Sequence, residues 1–342
     1  MGAVVCFGEV MMRLTPPGYL RIGQCDTLNM TFGGAEANVS VSLANYGMEA
    51  RYVTRLPENP LTAAFEQQMR GFGVNVDYIA KGGDRMGIYF VEKGASMRPS
   101  KVIYDRKYSS ISTAKPGDID WDKVFDGAEW FHWTGITPAL SDSAAALTLE
   151  ACKAAKAKGI TISCDLNYRK KLWTREKAKE VMSELVKYVD VMIANEEDSK
   201  DVFGIEAEGT DIETGKLSEA GYRDLAKKLA GAFGAKKVAF TLRESFSAND
   251  NNWSALIYDA ASDKAVRSRQ YAIRIVDRVG GGDSFGGGLI YALMNGYGDE
   301  EAINFAAAAS ALKHTIEGDF NRVSVDEVRA LMGGSASGRV QR

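Results

Sequence analysis

Short runs of β-branched and aromatic residues alternate with longer amphipathic stretches along most of the chain. Apolar positions recur at helical spacing in Asp142–Lys158, and in Thr174–Lys187, where Thr174 is a suitable N-cap. The short runs predict strands at Val4–Gly8, Tyr52–Arg55, Trp130–Thr134, Thr161–Asp165, Val189–Ala194 and Lys237–Leu242. This alternation predicts an α/β fold with a mainly parallel sheet, covered by helices on both faces, whose ligands sit at the carboxyl ends of the strands.

Two segments interrupt the alternation, and neither has a helical period. They are Met11–Phe32 and Gly87–Ser112, and the second resembles a hairpin of Gly87–Lys93 and Lys101–Lys107. We interpret both as strands of a small second sheet. A lid over a binding site is one function for it, an edge extension or dimer surface is another, and the two are compatible. The Gly/Ser/Arg-rich residues 333–342 are expected to be a disordered tail after a domain spanning residues 1–332.

Composition removes several classes of function. The 342 residues include 42 Lys and Arg against 45 Asp and Glu, a net charge of −3 that does not favour a nucleic-acid partner. No apolar run reaches the ~18 residues of a membrane helix, and the first residues lack the basic start of a signal peptide. With 4 cysteines in no CxxC pair and 2 histidines, the chain is expected in the cytoplasm, without a Cys/His metal cluster.

The strongest chemical signal lies near the C-terminal end. Gly280, Gly281 and Gly282 form a three-glycine turn that opens a helix, and Asp283 falls in its first turn. Unpaired N–H groups and the positive end of the helix dipole would make an anion site there, and a tight turn with a capping carboxylate is the alternative. The pattern is neither a Walker A loop nor GxGxxG. An Asp beside a bound phosphate suits phosphoryl transfer to an alcohol.

A second glycine signal lies near the N-terminal end. Gly33 and Gly34 precede a helical stretch that carries Asn38 in its first turn. Paired glycines let a small substrate approach the backbone, and Asn38 can bond hydroxyl groups. A plain strand-to-helix turn with a local cap is the alternative.

Together the two signals resemble the PfkB carbohydrate kinases, also called the ribokinase family. The resemblance rests on "GGAEANVSVSLANYG" and "DRVGGGDSFGGG", in the expected order, and extends from Val4 to about Met332. It implies a ribokinase-like three-layer α/β/α fold with a small β-sheet lid, and ATP and Mg²⁺ as cofactors. Asp283 would be the catalytic base, and the turn of Gly280 to Gly282 the anion hole.

The resemblance also implies a nucleotide side. Asn195 would organise Mg²⁺ through water, with Asp198 where the family has a longer Glu, so that Glu197 is a neighbouring candidate. Thr241 would meet ATP, and Arg243, where the family usually has glycine, would contact a phosphate or form a local salt bridge. Asp277 would hold a monovalent cation or be an ordinary turn carboxylate. The helix Asn304–Leu312 would wall the adenine pocket with small alanines.

On the acceptor side the resemblance assigns arginines, tyrosines and one acid. The expected substrate contacts are Arg13, Arg106, Arg169, Tyr89, Tyr104 and Asp319, with surface ion pairs and core packing as the alternatives. Arg suits forked recognition of a carboxylate, and a neutral hexose would leave that charge unpaired. His132, on an apolar strand, is expected to be a core residue.

The expected function is therefore ATP-dependent phosphorylation of an acidic keto-sugar. Segments such as "GEVMMRLTPPG" and "DLNYRKKLW" resemble family members that act on 2-keto-3-deoxygluconate. A kinase for fructose, ribose or a nucleoside, or a non-catalytic sugar-binding regulator on the same fold, is the alternative. A homo-oligomer is expected, as a dimer through the lid, because a small isolated sheet leaves edges and apolar faces exposed.

Overall fold

A computed structural model describes residues 2–206 and 218–334. Within those ranges, the strands are β1 (Ala3–Phe7), β2 (Met11–Thr15), β3 (Asn29–Gly33), β4 (Ala50–Val53), β5 (Arg55–Leu56), β6 (Ala80–Lys81), β7 (Gly87–Glu92), β8 (Lys101–Asp105), β9 (Ala128–Thr134), β10 (Thr161–Asp165), β11 (Val191–Ala194), β12 (Lys237–Ser245), β13 (Asp250–Asp259), β14 (Lys264–Arg267) and β15 (Tyr271–Arg274). Each of the predicted strands overlaps one of these.

The α-helices of the described ranges connect the strands. They are α1 (Ala35–Asn45), α2 (Pro60–Gly71), α3 (Trp121–Val124), α4 (Ile136–Ala139), α5 (Asp142–Ala157), α6 (Arg175–Leu185), α7 (Glu196–Phe203), α8 (Glu219–Phe233), α9 (Gly281–Met294), α10 (Asp299–Lys313) and α11 (Val325–Met332). The helix α5 begins as its sequence predicts, because the side chain of Ser141 accepts a hydrogen bond from the Ala144 amide. In the described part of the chain, no helix is long and apolar enough to cross a bilayer.

The large sheet has the strand order β14-β13-β12-β11-β10-β9-β1-β4, and β15 pairs with β13. The strands from β12 to β4 run parallel, and the antiparallel strand β13 follows β12 at one side. One face packs against α5, α6 and α8, and the other packs against α1, α2, α9 and α10. The three-layer α/β/α prediction is confirmed, and the parallel direction brings the carboxyl ends of the central strands to one edge.

A separate four-stranded sheet has the order β3-β2-β7-β8. It contains strands from both segments that interrupt the alternation. Its inner side chains Met11, Tyr89 and Val91 pack on Val279, the residue before the three-glycine turn. We call this unit the small sheet. Residues 335–342 of the predicted tail lie outside the described residues.

Candidate active site

A cavity of about 420 Å³ lies at the carboxyl ends of the parallel strands, between the large sheet and the small sheet. The small sheet, α1 and the end of β10 form its acceptor side, and the ends of β11 and β12 form its donor side, with Arg278 and His314. The turn at Gly280 and the first residues of α9 stand between the two sides. This is the edge at which ligands bind in sheets of this kind.

Asp283 lies at the junction of the two sides. It sits in the first turn of α9, and its Oδ2 accepts a hydrogen bond of 2.6 Å from Nδ2 of Asn38 on α1. Burial is the main cause that raises the pKa of the Asp283 carboxyl, from 3.8 to about 6. A carboxylate with this pKa is ionised at neutral pH and is still basic enough to accept a proton from an alcohol that is losing it.

The glycine turn has the geometry of an anion site. Gly280 is the N-cap of α9 with a φ of 83°, a left-handed conformation that favours glycine. Within the described residues, the amides of Gly282 and Asp283 make no backbone hydrogen bond, and both residues line the cavity. Free N–H groups at a helix start attract a phosphate.

The middle glycine of the turn has another part. The Gly281 amide donates to the carbonyl of Arg278 at 3.3 Å, and the residue does not line the cavity. A Cβ on Gly281 would lie 2.4 Å from the His314 ring, so packing against this ring leaves no room for a residue larger than glycine. The anion hole predicted from three glycines is therefore better described by Gly280, Gly282 and the amide of Asp283.

Arg13 does not reach the cavity. Only 2% of it is exposed, and its guanidinium forms salt bridges with Asp277 at 2.6 Å and with Asp319 at 2.5 Å. A third hydrogen bond joins its Nε to Thr15. The prediction that Arg13 contacts the substrate is corrected accordingly. Arg13 is buried, and its two salt bridges connect the small sheet to the loops around the glycine turn.

The Asp277 carboxylate is likewise bound by other groups of the protein. Its Oδ2 accepts hydrogen bonds from the Arg13 guanidinium and the Gly318 amide, and its Oδ1 accepts one from the Val279 amide. In this structure the carboxylate lies in a turn inside an ionic network, and its role as a ligand of a monovalent cation stays a prediction.

Tyrosines and Asp319 form the wall of the acceptor side. Tyr89 and Tyr104 stack with ring centroids 6.1 Å apart, and both line the cavity with Asp319. The hydroxyl of Tyr89 donates to Asp319 Oδ2 at 2.5 Å. Gly33 and Gly34 also line the cavity. A Cβ on Gly33 would lie 2.1 Å from Asp319 Oδ2, and a Cβ on Gly34 would lie 2.0 Å from the carbonyl oxygen of Glu9, so both close approaches need glycine.

The two remaining arginines of the acceptor side differ. Arg106 forms a salt bridge with the buried carboxylate of Glu9, whose other oxygen accepts from Ser109. Arg169 makes no salt bridge with any described residue, and its one hydrogen bond is to the carbonyl of Tyr168. Both line the cavity, but only Arg169 carries a charge that no carboxylate holds directly.

Acidic groups meet where Mg²⁺ was predicted. Asp165, at the end of β10, lines the cavity, and burial raises its pKa well above the usual value, with Asp198 and Asp283 adding to the effect. Asn195 caps α7 in a capping box with Asp198, whose other oxygen accepts from the Tyr168 amide. Glu197 lines the cavity and is exposed.

These acids fit a magnesium ion that is held mainly by phosphates and water. No group of three described His, Cys, Asp or Glu side chains is close enough to coordinate a metal by itself. Mg²⁺ commonly keeps several waters and takes one or two carboxylates together with substrate phosphates, and the cavity offers that donor set.

The donor side is cationic and partly aromatic. Thr241 and Arg243 line it at the end of β12, together with Arg278, Trp253 and His314. Neither arginine forms a salt bridge within the described residues, and the pKa of Arg278 is lowered by burial and by Arg243. The Nε1 of Trp253 is buried and has no hydrogen-bond partner among the residues that the structure describes.

The predicted adenine wall is not found at this cavity. No residue from 304 to 312 lines it, because that stretch of α10 packs against α9 and β13. Trp253, Ile275 and His314 line this side instead. His132 lies in the core as predicted, hydrogen-bonded to Ser163 at 2.8 Å, and burial lowers its pKa to about 3.

The sequence reasoning did not single out Glu9, Asp165, Arg278, Trp253 or His314 as residues of the site. The sequence could have indicated Asp165, because it ends a predicted parallel strand and ligands bind at the carboxyl ends of such strands. No pattern in the sequence indicates Glu9, because its partner Arg106 lies 97 positions away.

Comparisons with known proteins agree with this geometry. The model of "pfkB family carbohydrate kinase" matches residues 1–322. The 2-dehydro-3-deoxygalactonokinase of Haloferax volcanii is 35% identical over 97% of this chain and 98% of its own. The crystal structure of 2-dehydro-3-deoxygluconokinase from Thermotoga maritima is 50% identical, with a TM-score of 0.93 over 98% of this chain and 100% of that one.

A more distant relative has the same name as the Thermotoga protein. The 2-dehydro-3-deoxygluconokinase of Bacillus subtilis is 27% identical over 94% of this chain and 93% of its own. The match of the family model over nearly the whole length, together with the relative at 35% identity, establishes the class. The chain belongs to the pfkB family of carbohydrate kinases and is a phosphotransferase with an alcohol group as acceptor.

Proposed function

We propose that the protein transfers a phosphoryl group from ATP to the 6-hydroxyl of 2-keto-3-deoxygluconate, the sugar acid also named 2-dehydro-3-deoxygluconate. One observation carries the proposal. The Asp283 carboxylate, held by Asn38 at 2.6 Å, stands beside the free amides of the glycine turn and faces the cavity that Arg169 and the tyrosines line. A base, an anion site and an acceptor pocket therefore meet at one point.

In the proposed reaction, the oxygen of the sugar hydroxyl attacks the γ-phosphorus of ATP, and Asp283 accepts the proton of that hydroxyl. The bond between the γ-phosphorus and the oxygen that bridges it to the β-phosphorus breaks, and ADP leaves. Asn38 holds the carboxylate in position through its amide N–H. The amides of Gly282 and Asp283 donate to the phosphoryl oxygens, where negative charge is shared in the transition state. Asp198 and Glu197 would hold Mg²⁺ through water when ATP is bound, and the ion would supply positive charge next to the phosphates.

On the donor side, Arg243 and Arg278 bind the polyphosphate by charge. The fold is shared by a protein whose crystal structure contains ATP and Mg²⁺, a putative ribokinase II from E. coli. The two chains are 18% identical, and the TM-score is 0.80. The phosphate-binding turn and the unpaired arginines support ATP as the donor here. Thr241 lies at the same edge.

The acidic character of the substrate follows from Arg169. A cation that no carboxylate holds, facing a half-enclosed cavity, favours a ligand with a carboxylate of its own. Two relatives are named for the two epimers of one sugar acid, the gluconate and the galactonate forms. We propose the gluconate form as the better substrate, because the structure at 50% identity bears that name.

The test is a panel of acceptors in an assay that couples ADP release to NADH oxidation. It compares 2-keto-3-deoxygluconate, its galactonate epimer, gluconate, fructose and ribose. We expect kcat/KM for the 2-keto-3-deoxy acids to exceed that for the neutral sugars at least ~10²-fold, because a lost charge-assisted bond and an unpaired Arg169 each weaken binding. Faster turnover of fructose or ribose would refute the acidic substrate, and no ADP release with any acceptor would favour a non-catalytic regulator.

We also propose that the protein acts in the cytoplasm as a dimer joined through the small sheet. Free thiols at all four cysteines support a reducing compartment. The exposed apolar side chains Met30 and Ile103, which lie in one row across the small sheet, support a second copy of this chain as the partner. Light scattering with Ile103→Lys tests the dimer: the wild type should have twice the monomer mass and the variant should be monomeric, and a monomeric wild type would refute it.

A further inference from the structure

The last residue of α10, Lys313, buries its ammonium group beside the glycine turn. The residue has 0% exposure. Its Nζ donates to three main-chain carbonyl oxygens, that of Gly318 at 2.6 Å and those of Asp277 and Ile316 at 3.4 Å. Carbonyl oxygens converging on one positive charge are the arrangement by which proteins bind bare cations.

The charges around Lys313 explain why carbonyls and not carboxylates hold it. Asp277 and Asp319 attract it through space, but both carboxylates already form salt bridges with Arg13. Lys313 itself forms no salt bridge with any described residue. The group as a whole has two cations and two anions, so it is balanced without an added ion.

The three carbonyls belong to the two backbone segments behind the phosphate-binding turn. The Asp277 carbonyl precedes Gly280 by three residues. The Gly318 carbonyl comes directly before Asp319, whose own carbonyl oxygen would lie 2.0 Å from a Cβ on Gly280. A charge that draws both segments together therefore fixes the back of the turn.

We infer that Lys313 is a positioning residue whose ammonium is a tethered cation, holding the anion hole in shape so that the enzyme needs no free monovalent cation. The inference rests on the proposed phosphoryl transfer and goes beyond it. It also disagrees with the expectation that Asp277 marks a site for a free ion, because the Lys313 ammonium already occupies the space between the three carbonyl oxygens.

Two consequences can be measured on the wild type alone. In Tris buffer of constant ionic strength, replacing choline chloride by KCl up to 100 mM should change kcat less than about twofold. The melting temperature without substrate should be the same in both salts. Activation of the wild type fivefold or more by K⁺ would overturn the inference.

Two variants separate a tethered cation from a lysine that only fills space. Lys313→Ala removes the charge and leaves room for an ion, whereas Lys313→Met removes the charge and fills most of the volume. We expect kcat to fall about 10- to 100-fold in both, with KM for sugar and ATP within about threefold. K⁺ or NH₄⁺ should restore Lys313→Ala at least fivefold over choline, and should not restore Lys313→Met.

The control variant is Lys237→Ala, which removes a partly buried ammonium bound to Asp259 and to Asp299 at the other end of α10. It should lose stability but respond to no cation. An unchanged kcat in Lys313→Met, or a folded Lys313→Ala that no cation restores, would overturn the inference. If Lys313→Ala does not fold, the wild-type titration and Lys313→Met decide the question.

A second readout needs no sugar. NH₄⁺ or K⁺ should raise the melting temperature of Lys313→Ala relative to choline, because a ligand that binds only the folded state stabilises it, and should leave the wild type unchanged. If no acceptor of the panel is phosphorylated, the proposed function fails while this readout still decides the inference. An equal shift in wild type and Lys313→Ala would overturn it.

Discussion

The two sides of the cavity use their arginines differently. Arg13, behind the acceptor side, and Arg106, in its wall, are buried and already form salt bridges with carboxylates. Arg169 of the acceptor side forms no salt bridge within the described residues. On the donor side, Arg243 and Arg278 both lack a salt bridge within the described residues. The acceptor side therefore offers one free positive charge, and the donor side offers two.

The difference follows from the cost of burying charge. An arginine far from water must be paired, because its desolvation is not otherwise compensated, whereas an arginine at a cavity wall keeps water until a ligand arrives. Arginines that form salt bridges with carboxylates of the protein fix the shape of the site, and arginines without such a salt bridge are free to bind a ligand. One free cation suits one carboxylate of a sugar acid, and two suit a polyphosphate.

The largest expected effect lies between the two sides. Asp283→Asn should lower kcat by ~10²–10⁴-fold for every acceptor, because it removes the base while leaving both sets of arginines in place. KM for the sugar and for ATP should change little. Steady-state kinetics with both substrates varied measure this.

The same substitution should not unfold the protein. Because the pKa of Asp283 is raised in the folded state, its ionised form weakens the fold above pH about 6, so the amide variant should melt no lower than the wild type at pH 8. Asp77→Asn, at an exposed site, serves as the control and should keep full activity. A rate within tenfold of the wild type in Asp283→Asn would remove Asp283 from the role of base.

The next largest effect is expected from substitutions of the arginines on the acceptor side. Arg169→Gln should raise KM for the sugar acid about 10- to 100-fold and leave KM for ATP unchanged, since a hydrogen bond to a charged group contributes roughly 1.5–3 kcal/mol. The comparison variant Arg106→Gln leaves the Glu9 carboxylate buried without its partner. It should lower the free energy of unfolding by about 3–5 kcal/mol in urea titrations. Equal losses for neutral and acidic sugars in Arg169→Gln would contradict a carboxylate contact.

A smaller effect is expected from pH. The carboxylate of Asp283 must be ionised to accept a proton, so kcat should fall as pH drops through about 6 and should be about tenfold lower at pH 5 than at pH 8. The neutral His132 and His314, whose pKa values burial lowers to about 3 and about 4, do not titrate in this range. A kcat that stays constant between pH 5 and pH 8 would argue against the assignment.

The smallest effect is expected on the donor side. Arg243 is exposed, so its attraction for phosphate is screened by water and salt. Arg243→Gln should raise KM for ATP about three- to tenfold, and less at 0.5 M salt than at 0.05 M. A change in KM for the sugar acid of the same size would break the division into two sides.

The sequence predicts what neighbouring residues determine. The glycine turn and Asp283 are consecutive, and the caps of α5 and α7 lie within three residues of the amides they hold. The alternating pattern predicts the sheet, because apolar strands buried on both faces are typical of parallel sheets. These features need no knowledge of distant contacts.

What the sequence does not predict is which charges are already paired. Arg13 and Asp319 are 306 positions apart, and only the register of the small sheet against the glycine turn brings them together. An arginine looks the same in a sequence whether a carboxylate lies beside it or not. Counting arginines therefore predicts the acidic substrate but overstates how many are free to bind it.

The three glycines of the turn differ in what they leave open to change. Alanine at Gly280 or Gly281 would collide with Asp319 or His314, yet a methyl group on Gly282 would meet nothing within 4 Å. Of these three positions, Gly282 alone, which lines the cavity, leaves room for a side chain. A library that alters the donor preference should therefore randomise Gly282 alone, because nearly all members of a library of the whole triplet would carry a colliding side chain at Gly280 or Gly281.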